Sequence, residues 1–261
     1  MAAKILTLDI ETTPIVANVW GLFDQNITLE QIITDWSILA YCGKWLGNDE
    51  LIYADTRNKN VKKIRDDKKL LGDIWKLLDE ADIIVAQNGA RFDLPKISSR
   101  LVANGFGPYS PVRVIDTLAV SRRYFGHTSN KLQWTSQLTG TQKSDHRKYP
   151  GWHLWLECLK GNMDAFQEME DYNKKDVKAT EDLYLLYRPW IANHPDLTTY
   201  GTVVAKSGPA CPACESRDLQ ARGFSVTQAG RYQRYHCQSC GKWSRGKDNL
   251  IKLEDRKTKL T

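Results

Sequence analysis

The sequence lacks any long hydrophobic run. No stretch of its 261 residues approaches the roughly 18 consecutive apolar residues of a membrane-spanning helix, so we expect no membrane association. A secretion signal is missing as well, because Asp9 and Glu11 fall where its apolar segment would lie. Both absences favour a cytoplasmic protein.

Internal repeats and long low-complexity segments are also absent. With 41% hydrophobic and 26% charged residues, the composition is that of an ordinary globular protein and excludes a disordered chain. A chain of 261 residues has room for one domain of about 200 residues and one small additional module.

Net charge is absent from most of the chain. Residues 1–192 carry 25 basic and 25 acidic side chains, whereas residues 193–261 carry twelve basic and six acidic ones. The whole net charge of +6 therefore lies in the last quarter of the chain. A basic segment on a neutral body suggests a polyanionic partner, although a charged tail that only aids solubility fits the composition equally well.

Cysteine is scarce, and its six residues fall into two groups. Cys42 and Cys158 stand alone in apolar surroundings and are predicted to be buried. The others form two Cys-x-x-Cys pairs separated by 22 residues: Cys211, Cys214, Cys237 and Cys240. Without a secretion signal, such pairs indicate a metal site and not disulfides. They complete the four-cysteine shell of one structural Zn²⁺ ion, on which the folding of so short a segment would depend.

The hydrophobic pattern predicts a hairpin followed by strands that alternate with helices. The predicted strands cover residues 4–10, 36–45, 51–54, 83–86 and 112–115. The predicted helices cover residues 68–80, 94–104, 117–124, 132–138 and 163–190. Residues 140–162 are predicted to form a long loop. This order predicts an α/β fold, with a mixed sheet and flanking helices.

Acidic residues follow three of these elements. Asp9 and Glu11 lie two apart at the end of the first strand, so both carboxylates point to one side of the sheet. Asp93 follows the strand at 83–86, and Asp176 lies one helical turn after Tyr172. Each position alone has a plainer explanation: exposed carboxylates at a strand end, a helix cap at Asp93, or a mixed helix surface.

Together the four carboxylates suggest a site for two divalent cations. Like charges gathered at one sheet edge repel each other unless cations lie between them. Mg²⁺ and Mn²⁺ prefer oxygen ligands, and two such ions roughly 3.5–4 Å apart can support phosphodiester hydrolysis. A fifth carboxylate, Asp116, is predicted to cap the helix at 117–124 instead of adding a ligand.

The segments LDIETTP, QNGARFDLP and YNKKD resemble, in that order, the three motifs of the tyrosine subgroup of the DEDD superfamily of 3′→5′ exonucleases. They look like those of the proofreading domains of family B DNA polymerases and of stand-alone relatives, and the likeness covers most of residues 4–190. It implies a ribonuclease H-like fold with two Mg²⁺ or Mn²⁺ ions bound by Asp9, Glu11, Asp93 and Asp176. It also implies that Tyr172 positions the attacking water. Asn88 and Phe92 would contact the terminal nucleotide, and Thr12 would help to seat the 3′ end.

Two further segments have residues suited to holding a nucleic acid strand. The cysteine module resembles the zinc ribbons of some transposases and other DNA-handling proteins, in Cys-Pro-x-Cys and Arg-Tyr-His-Cys-x-x-Cys-Gly-Lys. The resemblance implies contact with nucleic acid or with protein. If the partner is nucleic acid, Arg231 and Arg234 would bind phosphates while neighbouring aromatic rings stack on bases. In the loop, Trp152 and Trp155 would either stack on a single strand or cover the core, and the second alternative is slightly favoured.

The motifs together predict a 3′→5′ exonuclease that acts on single-stranded or frayed DNA and releases nucleoside monophosphates. It would consist of a ribonuclease H-like domain (1–192), a linker (193–209), a zinc ribbon (210–246) and a basic tail (247–261). The alternatives are a nuclease acting on RNA or on particular structures, and a non-cleaving replication accessory protein. The activity would be free-standing or supplied to a polymerase or another replication or repair protein. So compact an enzyme would suit a bacterium, or a phage within its host.

Overall fold

The structure is a computed structural model that describes residues 3–141, 146–201 and 208–257. Parts of the predicted loop, linker and tail lie outside the described residues: 142–145, 202–207 and 258–261. The chain divides into two compact units, the first Lys4–Tyr184 and the second Leu185–Thr261 together with Met1–Ala3. Among the helices of the described ranges, none combines the length and the apolar composition that crossing a lipid bilayer requires.

The first unit is built on a mixed five-stranded sheet. The strands of the unit are β1 (Ile5–Thr12), β2 (Val16–Ala17), β3 (Ile32–Thr34), β4 (Ile38–Trp45), β5 (Leu51–Asp55), β6 (Ile83–Ala86) and β7 (Arg113–Asp116), of which β2 and β3 form a separate two-stranded sheet. The sheet has the order β5-β4-β1-β6-β7, in which β4 is antiparallel to β1 and β5, and β6 is parallel to β1 and β7. The short pair β2–β3 was not predicted from the sequence.

Helices complete this unit and confirm the predicted α/β class. They are α1 (Lys68–Glu80), α2 (Asp93–Ala103), α3 (Thr117–Tyr124), α4 (Leu132–Thr135), α5 (His153–Leu159) and α6 (Met163–Tyr187). One core cluster joins α1 and α2 to the even-numbered residues of β1: Leu6, Leu8 and Ile10. A second cluster joins α5 and α6 to Leu39 and Ala40 of β4.

The prediction of a loop over residues 140–162 is wrong in part, because α5 lies within it. Leu154 and Cys158 are fully buried and four residues apart, which is the spacing of neighbours on one helix face. Trp155 packs against the second core cluster, whereas Trp152 is exposed. The core-covering alternative therefore holds for Trp155 alone.

The second unit contains an antiparallel three-stranded sheet in the order β10-β9-β8. Its elements are β8 (Leu219–Thr227), β9 (Gly230–Cys237), β10 (Trp243–Asn249) and α7 (Leu253–Lys257). Strand β10 extends past residue 246, so the first residues of the predicted tail belong to the sheet. Part of the predicted linker is also structured, because Leu197 is buried and its N–H donates to Pro212 O at 2.7 Å.

Candidate active site and cysteine cluster

The first pair of candidate ligands lies on β1. Since Leu6, Leu8 and Ile10 face α1 and α2, the alternation of a strand turns Asp9 and Glu11 to the other side. Consistent with this, the side-chain amide of Asn173 on α6 donates to Asp9 Oδ2 at 2.5 Å. Asn173 is fully buried and was not singled out by the sequence analysis.

The second motif forms a tight turn between β6 and α2. Asn88 has φ +65°, and a Cβ on Gly89 would lie 2.3 Å from Ala86 Cβ, so the backbone here requires glycine. Asp116 at the end of β7 holds the turn by accepting the N–H groups of Asn88 (3.0 Å) and Ala90 (3.3 Å).

Asp93 is the first residue of α2 and is only 2% exposed. The N-cap position of this helix is held by Phe92, and Asp93 Oδ1 accepts the N–H of Ile10 at 3.1 Å. The plainer explanation of Asp93 as a helix cap is therefore wrong. This bond ties the second motif to β1, one residue from both Asp9 and Glu11.

Burial raises the pKa of Asp93 to about 7, against the opposing effect of the Ile10 N–H, and the nearby charge of Asp116 adds to the increase. A desolvated carboxylate of this kind gains from a nearby cation, which would replace the lost solvation. The chemistry of the donor set thus fits a divalent metal ion.

The third motif lies on α6, where Tyr172 and Asp176 are one turn apart. The ring of Tyr172 packs edge-on against His146 and Trp155, with centroid distances of 5.1 and 6.2 Å. Burial raises the pKa of Tyr172, and the negative charges of three carboxylates raise it further: Asp176, Glu11 and Asp9. The hydroxyl therefore stays protonated and can donate a hydrogen bond.

One cleft of about 660 Å³ brings the three motifs together. Seven residues predicted from the sequence line it: Asp9, Glu11, Asn88, Phe92, Asp93, Tyr172 and Asp176. Thr12 does not line it, and neither does Arg231 or Arg234, which both lie on β9 of the second unit. The structure adds two exposed cations to the lining, Arg122 and Lys131, neither of which forms an ion pair within the described part of the chain.

Carboxylates in this cleft are less tightly grouped than the cysteines of the second unit. Within residues 3–141, 146–201 and 208–257, the cysteines are the one group whose ligand atoms all lie within 4.8 Å of one another. A pair of ions roughly 3.5–4 Å apart does not require every carboxylate oxygen to lie so close, because each oxygen serves one ion or the other.

The four cysteines form a compact cluster at the base of the three-stranded sheet. Two Sγ–Sγ distances are 3.7 Å, between Cys211 and Cys240 and between Cys214 and Cys237. Tetrahedral coordination with Zn–S bonds of about 2.3 Å places sulfur atoms about 3.8 Å apart, so the cluster fits one Zn²⁺ ion. Burial raises the pKa of Cys237, but the backbone N–H groups of Cys240 and Ser239 outweigh it and lower the pKa to about 7.

The two remaining cysteines behave as the sequence predicts. Cys42 and Cys158 are fully buried, and burial raises the pKa of each thiol to about 12. They are therefore unreactive components of the core.

A comparison with protein-family models finds a match over residues 49–187, just over half of the chain, to RNase_H_2 of the RNase_H superfamily. The matched range contains Asp93, Tyr172 and Asp176 and begins after Asp9 and Glu11. A comparison with curated proteins finds no match.

Proposed function

Because the chain belongs to the RNase_H superfamily, we propose that it is a nuclease of the metal-dependent 3′→5′ exonuclease type, acting on single-stranded or frayed DNA. The observation that carries the proposal is the cleft shared by all three sequence motifs, lined by four carboxylates and Tyr172. The products would be nucleoside monophosphates. A polymerase or another replication or repair protein is the partner that such an activity would serve.

Asp9, Glu11, Asp93 and Asp176 would hold two Mg²⁺ or Mn²⁺ ions. When bound, such ions activate the attacking water and neutralise charge on the leaving oxygen. The buried Asn173 amide fixes one oxygen of Asp9 and so orients the other. Tyr172, kept protonated by its surroundings, would donate to the attacking water and hold it in line.

The remaining lining of the cleft suits a single strand that ends at the carboxylates. Asn88 and Phe92 would contact the terminal nucleotide, whose base can pack on the half-exposed Phe92 ring. Arg122 and Lys131 would bind phosphates of the following nucleotides. Thr12, at the end of β1, would help to seat the 3′ end.

In the second unit, the cysteine cluster would bind one structural Zn²⁺ ion, because a closed shell of four thiolates leaves no coordination position for water. The basic ribbon around it would add affinity for nucleic acid, with Arg231 and Arg234 as the first candidates. The first unit would therefore hydrolyse the nucleic acid, and the second would help to bind it.

Degradation of a 5′-labelled single-stranded oligonucleotide with Mg²⁺ or Mn²⁺ tests the proposal. The protein should give a ladder that shortens from the 3′ end, and competition with an RNA of the same sequence decides between DNA and RNA as the substrate. Asp9→Asn should lower the rate at least about a hundredfold, more than the loss of an outer-shell partner. Asp49→Asn, which changes an exposed carboxylate in the turn between β4 and β5, is the matched control. Full activity in Asp9→Asn would show that the assigned site is wrong.

Tyr172→Phe tests the role of the hydroxyl, because it keeps the ring packed against His146 and Trp155. Removing one oriented donor should lower kcat on the order of a hundredfold. The Mn²⁺ concentration that gives half-maximal rate should stay the same, because the four carboxylates are intact. A shift in that concentration without a fall in kcat would contradict a water-orienting role.

A further inference from the structure

One face of the three-stranded sheet carries an array of arginines and aromatic rings. In the pairing of β9 with β10, Arg234 lies opposite Arg245, and His236 lies opposite Trp243. Directly opposite residues of antiparallel strands share a face, as do residues two apart on one strand. This face, the Trp243 face, consists of Arg222, Tyr232, Arg234, His236, Trp243 and Arg245.

The side chains of the Trp243 face are stacked on each other. The guanidinium carbons of Arg234 and Arg222 lie 4.8 and 5.6 Å from the centre of the Trp243 ring. The His236 ring lies 4.6 Å from the same ring, and Arg245 lies 4.2 Å above Tyr232. Flat groups gathered in this way offer platforms on which further flat groups can stack.

The charge of this face is unbalanced. Arg222, Arg234 and Arg245 are exposed, and in the described part of the chain none of them pairs with a carboxylate. Three guanidinium groups on one small face repel each other, and a chain of phosphates would relieve the repulsion. Trp243 is 45% exposed between them, which is more than a core tryptophan would be.

The opposite face of the same sheet has a different character. Arg231 lies three residues before Arg234 on β9, so the alternation of the strand places it on the other side. There its guanidinium lies 3.8 Å from the centre of the Phe224 ring, beside a hollow of about 590 Å³. Lys252, Glu254 and Asp255 also line this hollow, so its basic and acidic charges balance and do not attract a polyanion. The two arginines that the sequence analysis grouped together therefore belong to different surfaces.

We propose that the Trp243 face is a binding site for unpaired DNA, in which bases stack on the rings and guanidinium planes while phosphates contact Arg222, Arg234 and Arg245. Arg231 takes no part. Stacking of this kind accepts any base, and it excludes a duplex because paired bases do not expose their flat faces. The inference rests on the proposed nucleic-acid role of the ribbon, but it does not require the cleft to cut.

Binding is therefore measured without catalysis. The full chain carrying Asp9→Asn, loaded with Zn²⁺ and without Mg²⁺ or Mn²⁺, is titrated against fluorescein-labelled oligothymidine, an abasic oligomer of equal length and a duplex. Trp243→Ala should weaken oligothymidine binding about tenfold or more. It should leave abasic oligomer binding nearly unchanged. If Trp243→Ala does not have these effects, the proposed stacking site is wrong. A protein without nuclease activity could still show both effects, so the two proposals are tested separately.

The arginines are tested by salt dependence. Arg234→Ala should reduce the slope of log Kd against log salt concentration by about 0.7, the value for one phosphate contact to a single strand. Arg231→Ala is the matched control and should leave both affinity and slope unchanged. Arg234→Ala also removes the hydrogen bond that Arg234 Nε donates to Arg222 O at 3.1 Å. Arg234→Lys is therefore included, because it keeps the positive charge and should retain the slope. Zinc content measured for every variant ensures that a folded ribbon is compared.

Two results would overturn the proposal. One is an equal loss of affinity in Arg231→Ala and Arg234→Ala. The other is unchanged oligothymidine binding in a zinc-loaded Trp243→Ala protein, which would leave docking to another protein as the use of this face.

Discussion

At the scale of single residues, a buried ion pair joins the sheet of the first unit to its longest helix. Lys44 Nζ on β4 lies 2.6 Å from Glu181 Oε1 on α6, and the two side chains are only 8% and 10% exposed. Removing two charges from water is costly, so such a pair contributes little net stability, although loss of either partner is severe. The second oxygen of Glu181 is buried without a hydrogen bond among the described residues.

Lys44→Met should lower the free energy of unfolding of the first unit by about 3–5 kcal/mol, because it leaves the Glu181 charge buried and uncompensated. The double variant Lys44→Met/Glu181→Leu should regain most of this loss. Urea denaturation followed by circular dichroism measures both. Equal destabilisation of the single and double variants would show that the pairing is not what matters.

The residues that line the cleft were predictable to different degrees. Carboxylates at the ends of separate elements, in the order of known motifs, led the sequence analysis to Asp9, Glu11, Asp93 and Asp176, and all four line one cleft. Arg122 and Lys131 of the lining were missed, as was Asn173, which contacts Asp9. A polar residue inside a helix or loop gives no periodic signal, and its direction depends on long-range packing.

At the scale of elements, Asp116 joins two parts of the fold near the cleft. Its carboxylate caps α3 by accepting the N–H groups of Leu118 and Ala119, and it also holds the turn at Asn88 and Ala90. The cap that the sequence predicts at Asp116 is confirmed. The bonds to the turn couple this cap to the second motif.

Asp116→Ala should destabilise the first unit by about 3 kcal/mol, since a helix cap is lost and partly buried N–H groups are left without acceptors. Nuclease activity should fall too, because the turn that leads to Asp93 loosens. Asp116→Asn keeps one acceptor oxygen, so it should lose less stability and less nuclease activity than Asp116→Ala. Thermal unfolding measures the stability of each variant, and the oligonucleotide assay measures its nuclease activity. An alanine variant as stable as the asparagine variant would contradict the proposed coupling.

Elements with strong periodicity were predicted best. The bounds predicted for α1, β6 and α3 coincide with the structure, because apolar residues recur there at regular spacing between clear stop signals. Helix α5 was hidden in a segment rich in Lys, His, Trp and Gly, and β2–β3 are too short to show alternation. Grouping Arg231 with Arg234 ignored that residues three apart on a strand face opposite sides.

At the scale of the whole molecule, the two units depend on different sources of stability. The described residues of the first include large apolar clusters that join strands to helices. The cluster described for the ribbon consists of Cys211, Ala213 and Cys237, with partly buried Cys214, Leu219 and Cys240 around it. So small a cluster cannot offset the entropy of ordering three strands without a metal ion.

Removal of Zn²⁺ should therefore unfold the ribbon and leave the first unit folded. Hydrogen exchange measured by mass spectrometry should show loss of protection in β8–β10 after chelation, with protection in β1, β4 and β6 retained. Adding Zn²⁺ under reducing conditions should restore it, whereas Mg²⁺ should not. Ribbon protection that survives complete loss of zinc would contradict the metal dependence.

The sequence predicts a division into two parts from charge and cysteine spacing, and the predicted domain bounds stay a prediction. The sequence analysis placed the boundary after residue 192, where the helical pattern ends, whereas the compact units divide between Tyr184 and Leu185, within the last turn of α6. A helix that runs from one unit into the next leaves no break in composition for sequence analysis to detect.

The cysteine geometry also has a consequence for handling the protein in air. Each close Sγ–Sγ contact joins a cysteine of the first Cys-x-x-Cys pair to one of the second, Cys211 to Cys240 and Cys214 to Cys237. When the metal leaves, dissolved oxygen can oxidise thiols this near to each other to disulfides before the ribbon unfolds. The disulfides would keep the two Cys-x-x-Cys pairs close together, but no thiolate would remain to bind a metal ion. The mass of a protein stored without reductant would then differ from that of the reduced protein by only a few daltons. The oxidised protein would nevertheless not bind Zn²⁺ until dithiothreitol reduced the disulfides.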